Sequence, residues 1–143
     1  MKRIMGIDYG DRRTGIAVSD PLGMLAGGIG TIKAEGDRSL IAQIMKLTEE
    51  YEIEKFVLGN PVNMNGTEGP RSEKAKAFAE KLKKESGLEV ILFDERCTTM
   101  QAHEIMNLTD TRGKKRKDNV DTLSAQIILQ NYLDACRERQ PSP

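Results

Sequence analysis

Three short strand-like runs lie between Ile4 and Lys33 with no room between them for a helix. Ile4 to Tyr9 is apolar and is bounded by Gly10. Gly15 to Ser19 follows through the polar turn Gly10-Asp11-Arg12-Arg13-Thr14. Ala26 to Lys33 is a third run, loosened by Gly27, Gly28 and Gly30. Parallel neighbours need a crossover of a dozen residues or more, so strands this closely spaced predict an antiparallel meander. The period then changes. Leu40, Ile44, Leu47 and Tyr51 recur at helical spacing behind Ser39 as a cap. Lys55 to Leu58 is a brief buried-strand candidate that stops at Gly59-Asn60-Pro61, and a loop from Asn60 to Pro70 follows.

The rest of the chain continues the alternation. Ala75, Phe78, Ala79 and Leu82 share one face of a second helix that ends near Gly87, and Leu88 to Phe93 is a fifth strand. Thr98 and Gln101 form a capping box for a third helix with Ala102, Ile105 and Met106 on its apolar side. Asp110 to Lys117 reads as a polar loop. A last helix runs from about Val120 through Leu123, Ile127, Ile128 and Leu129, and frays into Arg137 to Pro143. A meander followed by alternating helix and strand implies a mixed sheet with helices on its faces. The expectation is one α/β domain over residues 1–139 with a short tail at 140–143.

Charge and composition narrow the function. Lys plus Arg and Asp plus Glu both total 22. A wholly basic nucleic-acid binder is excluded, so any polyanion must be held by a local patch. Two cysteines, Cys97 and Cys136, and one histidine, His103, are too few for classical zinc-finger ligand sets. They suit free thiols in a reducing cytosol, and His103 reads as structural. No apolar run approaches the roughly 20 residues that span a bilayer. The chain passes from Met1 straight into a strand that meets an acid at Asp8, so the expectation is a cytoplasmic protein without a signal peptide. The seven methionines read as core filler.

Three acids stand out against this background. Asp8 ends an apolar strand, where a carboxylate is costly unless solvated, paired or metal-bound; it could equally open the turn as a hydrogen-bond acceptor. Glu95 follows the fifth strand within Asp94-Glu95-Arg96, where alternation puts Asp94 and Glu95 on opposite sides; a strand-end ion pair with Arg96 would also account for it. Asp121 sits in the first turn of the last helix, a position the helix dipole favours for any acid. Taken together they mean more. Strand carboxyl ends of parallel α/β sheets gather on one edge, where ligands bind. Three carboxylates converging there repel one another unless divalent cations intervene, and an oxygen-only set suits Mg²⁺ or Mn²⁺.

Gly6-Ile7-Asp8-Tyr9-Gly10, Gly59-Asn60-Pro61 with Asn65-Gly66, Asp94-Glu95-Arg96 with Thr98-Thr99, and Val120-Asp121 with Ser124-Ala125 and Ile128-Leu129 occur in the order found in YqgF proteins. In this the chain resembles that bacterial RNase H-like family, which is similar to RuvC-type resolvases, over nearly its whole length. The resemblance implies a five-stranded mixed sheet, three strands antiparallel, flanked by helices. It implies a cytoplasmic nuclease that processes the 5′ end of precursor 16S rRNA, with Holliday junction cleavage on branched DNA as the alternative. Asp8, Glu95 and Asp121 become the catalytic Mg²⁺ ligands.

Basic residues supply the grip on such a substrate. Arg112, Lys114, Lys115, Arg116 and Lys117 precede the helix of Asp121, and Arg12 and Arg13 lie in the turn after Asp8. Beside a metal site they would contact phosphates without reading sequence, although a charge run is more often a solvated face. Arg71 and Lys74, at the start of the second helix, could contact a phosphate or simply solvate that helix. Aromatics are 4% of the chain and Trp is absent, so recognition of backbone shape in structured RNA or branched DNA is favoured over base stacking. A resolvase would want two sites in a homodimer, and a trimming nuclease needs one. Two other classes fit parts of the sequence. An ATP-binding protein of the actin and sugar-kinase type would use Gly6 to Gly10 as a phosphate loop but needs two such domains. A non-catalytic ribosome or transcription partner would keep the fold without needing all three acids.

Overall fold

The computed structural model describes residues 3–10, 12–60, 69–94 and 114–139, with the side chains of 94, 114–121 and 137–139 left aside. The elements are β1 (Arg3–Asp8), β2 (Arg13–Ser19), β3 (Ala26–Lys33), α1 (Asp37–Glu50), β4 (Ile53–Asn60), α2 (Pro70–Ser86), β5 (Glu89–Asp94) and α3 (Lys114–Arg139). One five-stranded sheet has the order β3-β2-β1-β4-β5. β1, β2 and β3 form the antiparallel meander, and β4 and β5 add in parallel beside β1.

Alternation along the strands sorts the core into two layers. Met5, Ile7, Ile16, Val18, Phe56 and Leu58 face α1 and α2, where they meet Leu40, Ile44, Phe78 and Leu82. Ala17, Ala26 and Val57 face the other way, against Ala125, Ile128, Leu129 and Leu133 of α3. This second layer is thin because a row of small residues runs across the strands. Gly6 pairs with Ala17, and Ala17 with Gly28. A methyl group added at Gly6 would lie 2.7 Å from Leu129 Cβ and 2.9 Å from the Ala125 carbonyl oxygen. The helix therefore rests on the strand backbone itself.

Two glutamines fix the register of α3. Gln130 Oε1 accepts from the Ala26 amide at 2.9 Å, and its Nε2 donates to the Met24 carbonyl at 3.0 Å. Gln126 Nε2 donates to the Ala26 carbonyl at 3.0 Å. These bonds satisfy backbone groups where the edge strand begins, which an edge would otherwise leave open. Further along, the hydroxyls of Thr31 and Thr122 lie 3.0 Å apart. As β3 rises from Ala26 to Thr31, α3 descends from Gln130 to Thr122, so the helix runs antiparallel to β3 and to β1.

Several expectations need correction. Lys114 to Lys117 are helical, not a loop, and α3 starts six residues before Val120 (120 − 114). Lys and Arg propagate a helix well without supplying an apolar stripe to reveal it. Ser39 does not cap α1: Gly36 is the N-cap and makes no side-chain cap bond, while Ser39 accepts from Gln43 inside the helix. β4 reaches from Ile53 to Asn60 because it is covered on both faces, and α2 begins at Pro70, which suits a first helical position. Met24 is 45% exposed and fills no core. The third helix, the Asn60–Pro70 loop beyond its end residues, Cys97 and His103 lie outside the described residues. Cys136 is a free, part-buried thiol.

Candidate functional site

Asp8 is the last residue of β1, and alternation with Ile4 and Gly6 turns it to the α3 side of the sheet. Its neighbours in the sheet give it room. It pairs with Gly15 on β2, and the register of Ile7 with Leu58 sets it beside Gly59 on β4. Gly15 in turn pairs with Thr31, and Gly59 with Phe93. The row across the sheet at this level is Thr31, Gly15, Asp8, Gly59, Phe93. A half-buried carboxylate thus stands in a trough two residues wide that carries no other side chain.

Asp121 belongs to α3, one turn before Ala125, whose carbonyl lies over Gly6. One helical turn is about 5.4 Å along the axis, and two residues of strand advance about 6.6 Å. The helix runs antiparallel to β1, so both steps lead to the carboxyl end of the sheet. The backbone of Asp121 is therefore level with Asp8. The contact of Thr31 with Thr122, next in sequence to Asp121, fixes that level independently. Glu95 lies outside the described residues. β5 ends at Asp94, paired with Asn60, and β4 stands between β5 and β1, so the strand end is two spacings, about 9.5 Å, from Asp8. Among the described residues no three acidic, histidine or cysteine side chains cluster as a metal site; of the three acids, only the side chain of Asp8 is described.

The basic candidates divide by face. Arg13 is exposed and shares the face of Gly15 and Ala17, hence of Asp8. Arg12 is exposed in the bend before β2, and its carbonyl accepts from the Ala34 amide. Lys114 to Lys117 form the first described turn of α3, which contains no acid. Seven residues separate Lys115 from Thr122, so this turn projects about 10 Å past the Thr31 level, beyond the sheet at the end where Asp8 lies. Cations at a helix amino terminus oppose the dipole. Arg71 and Lys74 start α2, on the opposite face of the sheet from Asp8. Arg112 lies outside the described residues.

The turn that follows Asp8 is tightly held. Tyr9 points away from the trough, its ring stacked on Phe78 with centroids 4.3 Å apart, and its hydroxyl donates to Asp37 Oδ1. Lys81 Nζ donates to Asp37 Oδ2 at 3.0 Å. Burial alone would raise the Asp37 pKa; the donors Tyr9 and Lys81 outweigh it and hold the carboxyl below its ordinary value. Thr14 closes the other side, its hydroxyl between the amide and carbonyl of Gly10. A methyl at Gly10 would meet the Arg13 carbonyl oxygen at 2.2 Å. Tyr9 is thus a packing residue. The flanking glycines, Thr31 and Thr122 were not singled out in the sequence, because pairing register is what brings them to Asp8.

This sheet order, with three antiparallel strands, two parallel additions and helices on both faces, is the RNase H-like fold of the RuvC-type resolvases. T. thermophilus RuvC, solved in complex with Holliday junction substrate, superposes with a TM-score of 0.63 at 13% identity, covering 95% of this chain and 97% of that one. The Fowlpox virus resolvase, solved with Holliday junction DNA, gives 0.53 at 14% identity over 94% and 98%. At such identities the likeness is one of fold. The chain belongs to the RuvX family, described as Holliday junction resolvase and also called YqgF, whose model matches residues 2–135. A relative from Clostridium tetani is 49% identical over 93% of this chain and 96% of its own length. One from Listeria monocytogenes serotype 4b is 47% identical over 92% and 97%. Both carry the name "Putative pre-16S rRNA nuclease".

Proposed function

We propose that this protein is a divalent-metal-dependent nuclease that hydrolyses phosphodiester bonds in the cytoplasm and processes the 5′ end of precursor 16S rRNA. One observation carries the reading: Asp8 stands at the carboxyl end of β1, between two glycines, on the face covered by the helix that bears Asp121. A half-buried acid flanked by glycines, with a second acid on a backbone level with it, suits Mg²⁺ or Mn²⁺, which take oxygen ligands. Asp8, Asp121 and Glu95 would hold the metal. Phe93, on the strand that precedes Glu95, packs on the α3 layer. Bound there, the metal supplies an activated water and stabilises the leaving oxygen of the phosphodiester.

The chain's own groups have separable tasks. Asp8 is fixed by a strand paired on both sides, and Asp121 by a helix keyed to the sheet through Gln126 and Gln130, so their spacing is set before substrate arrives. Gly15 and Gly59, both buried, put no side chain beside the Asp8 carboxylate. Arg13 and the Lys114–Lys117 turn neutralise phosphates flanking the one that reacts, giving affinity indifferent to sequence and sensitive to salt. A polyanion there also relieves the unfavourable meeting of that turn with the helix dipole.

Branched DNA is the second substrate reading, carried by the family's description. One preparation assayed on a precursor 16S rRNA 5′ fragment and on a four-way DNA junction, with and without Mg²⁺, separates them. The expected result is Mg²⁺-dependent cleavage of the RNA that Asp8→Asn abolishes while the fold persists. Preferential symmetrical cutting of the junction would replace the substrate, and imply a homodimer. Normal cleavage by Asp8→Asn, with contaminating nuclease excluded, would overturn the nuclease assignment.

A further inference from the structure

We infer that Thr122, held by Thr31 of the edge strand β3, is a positioning residue for the proposed metal site: the pair sets the height of the Asp121 backbone against Asp8. This deepens the nuclease reading and rests on it. Thr122 is keyed to β3 by both branches of its side chain. Its hydroxyl lies 3.0 Å from that of Thr31. Its methyl sits over Gly28, where an added Cβ would be 2.6 Å from Thr122 Cγ2. A β-branched side chain held at both branches is confined to one rotamer, so the backbone that carries it is held as well. Asp121 is the residue immediately before it in α3.

The edge strand is shaped for this contact. Ala17 pairs with Gly28 but Ile16 pairs with Gly30, which leaves Ile29 as the extra residue of a bulge. Simple alternation from Gly28, on the α3 side, would turn Thr31 towards α1. The bulge re-aims it, and Thr31 meets α3 instead. Gly30 accommodates the bulge with a φ of +154°, a conformation that favours glycine. The contact is also placed at the site and not in the core. Thr31 pairs with Gly15 and Gly15 with Asp8, so the two hydroxyls lie in the row of Asp8. Gln126 and Gln130 tie α3 to the sheet about one and two turns further from Asp121. Among the described side chains, the threonine pair is the polar tie nearest the helix acid.

The test uses the full chain, with Mn²⁺ binding followed by electron paramagnetic resonance and cleavage of a precursor 16S rRNA 5′ fragment followed in Mg²⁺. Thr122→Val keeps the methyl and removes the hydroxyl. It should weaken Mn²⁺ binding and lower kcat, each about tenfold, while KM stays within about twofold. Thr31→Val should do the same, and the double variant should be little worse than either, as two halves of one contact require. Thr31→Ser keeps the hydroxyl and should retain the parent values. Thr48→Val is the control: it removes a buried hydroxyl that bonds the Ile44 carbonyl at 2.8 Å within α1, behind the sheet, and should leave Mn²⁺ binding and kcat unchanged. Circular dichroism melts establish that each variant is folded at the assay temperature. Parental Mn²⁺ affinity and kcat in Thr122→Val and Thr31→Val overturn the inference, as does an equal loss with Thr48→Val. Loss of Mn²⁺ binding in Asp8→Asn alongside indifferent threonine variants sinks this inference alone, whereas a fully active Asp8→Asn sinks the nuclease reading beneath it.

Discussion

Gly6→Ala adds one methyl group where the structure has no space for it. The new carbon would sit 2.7 Å from Leu129 Cβ and 2.9 Å from the Ala125 carbonyl oxygen. Comfortable carbon contacts need about 3.5–4.0 Å, so α3 must move by about 1 Å. Neither obstacle is the end of a flexible side chain, so rotamer changes cannot absorb the clash. Alanine within a strand would otherwise gain about 0.5–1 kcal/mol over glycine; overpacking of this kind costs about 1–3 kcal/mol, and the clash wins. For a chain of this size that lowers Tm by about 3–10 °C. Domains are commonly stable by 5–15 kcal/mol, so the variant stays folded at 25 °C and its rate reports geometry. Because α3 carries Asp121, a 1 Å displacement predicts a loss of cleavage of about 10²-fold. Gly28→Ala is the companion, since its methyl would meet Thr122 Cγ2 and Gln126 Oε1, side-chain atoms that can shift, and its losses should be smaller. Thermal melts by circular dichroism and initial cleavage rates provide both readouts. A Gly6→Ala protein that melts and cuts like the parent refutes the packing argument; one that melts early yet cuts normally refutes the claim that α3 positions the site.

Ser72→Ala leaves the buried Asn60 Oδ1 without its donor, now at 2.6 Å, and should cost about 1–3 kcal/mol in urea unfolding. Asp37→Asn should destabilise by about 1–2 kcal/mol at pH 7 through its bonds to Tyr9 and Lys81. The folded Asp37 carboxyl titrates below its ordinary 3.8, so its contribution is complete above that value and fades as pH falls through the folded value. The difference between the two proteins should therefore narrow in acid, and an equal difference at pH 7 and pH 3 would contradict the assignment. Neutralising Lys114, Lys115, Arg116 and Lys117 together should weaken binding to RNA and junction alike and flatten the salt dependence; an unchanged slope would remove that turn from the interface.

How far the sequence foretold these features depended on the kind of signal. β1 to β3 were legible because short apolar runs separated by a Gly-bounded polar turn leave little choice, and β3 came out with the expected bounds, Ala26–Lys33. α2 was legible through its apolar face and through Gly87, which ends it in the left-handed conformation. The first turn of α3 was hidden because four consecutive cations show no periodicity. Asn60 looked like loop because asparagine is depleted in strands; here its side chain is satisfied by Ser72 of α2. Asp8 was visible as an acid ending an apolar run, and Asp121 as an acid opening a helix. Their common level, the glycines beside Asp8 and the bulge that turns Thr31 to α3 all depend on register, which residue types alone do not encode.

The central claim is that Asp8 and Asp121 hold a shared divalent cation. Manganese binding measured by electron paramagnetic resonance on the intact protein, on Asp8→Asn and on Asp121→Asn tests it without any assumption about substrate. Each substitution should weaken Mn²⁺ binding at least tenfold, with the double variant little worse than either alone, as expected of ligands to one site. Binding by Asp121→Asn at the affinity of the unsubstituted protein would mean that the helix acid is no ligand, and the account of the site would fail with it.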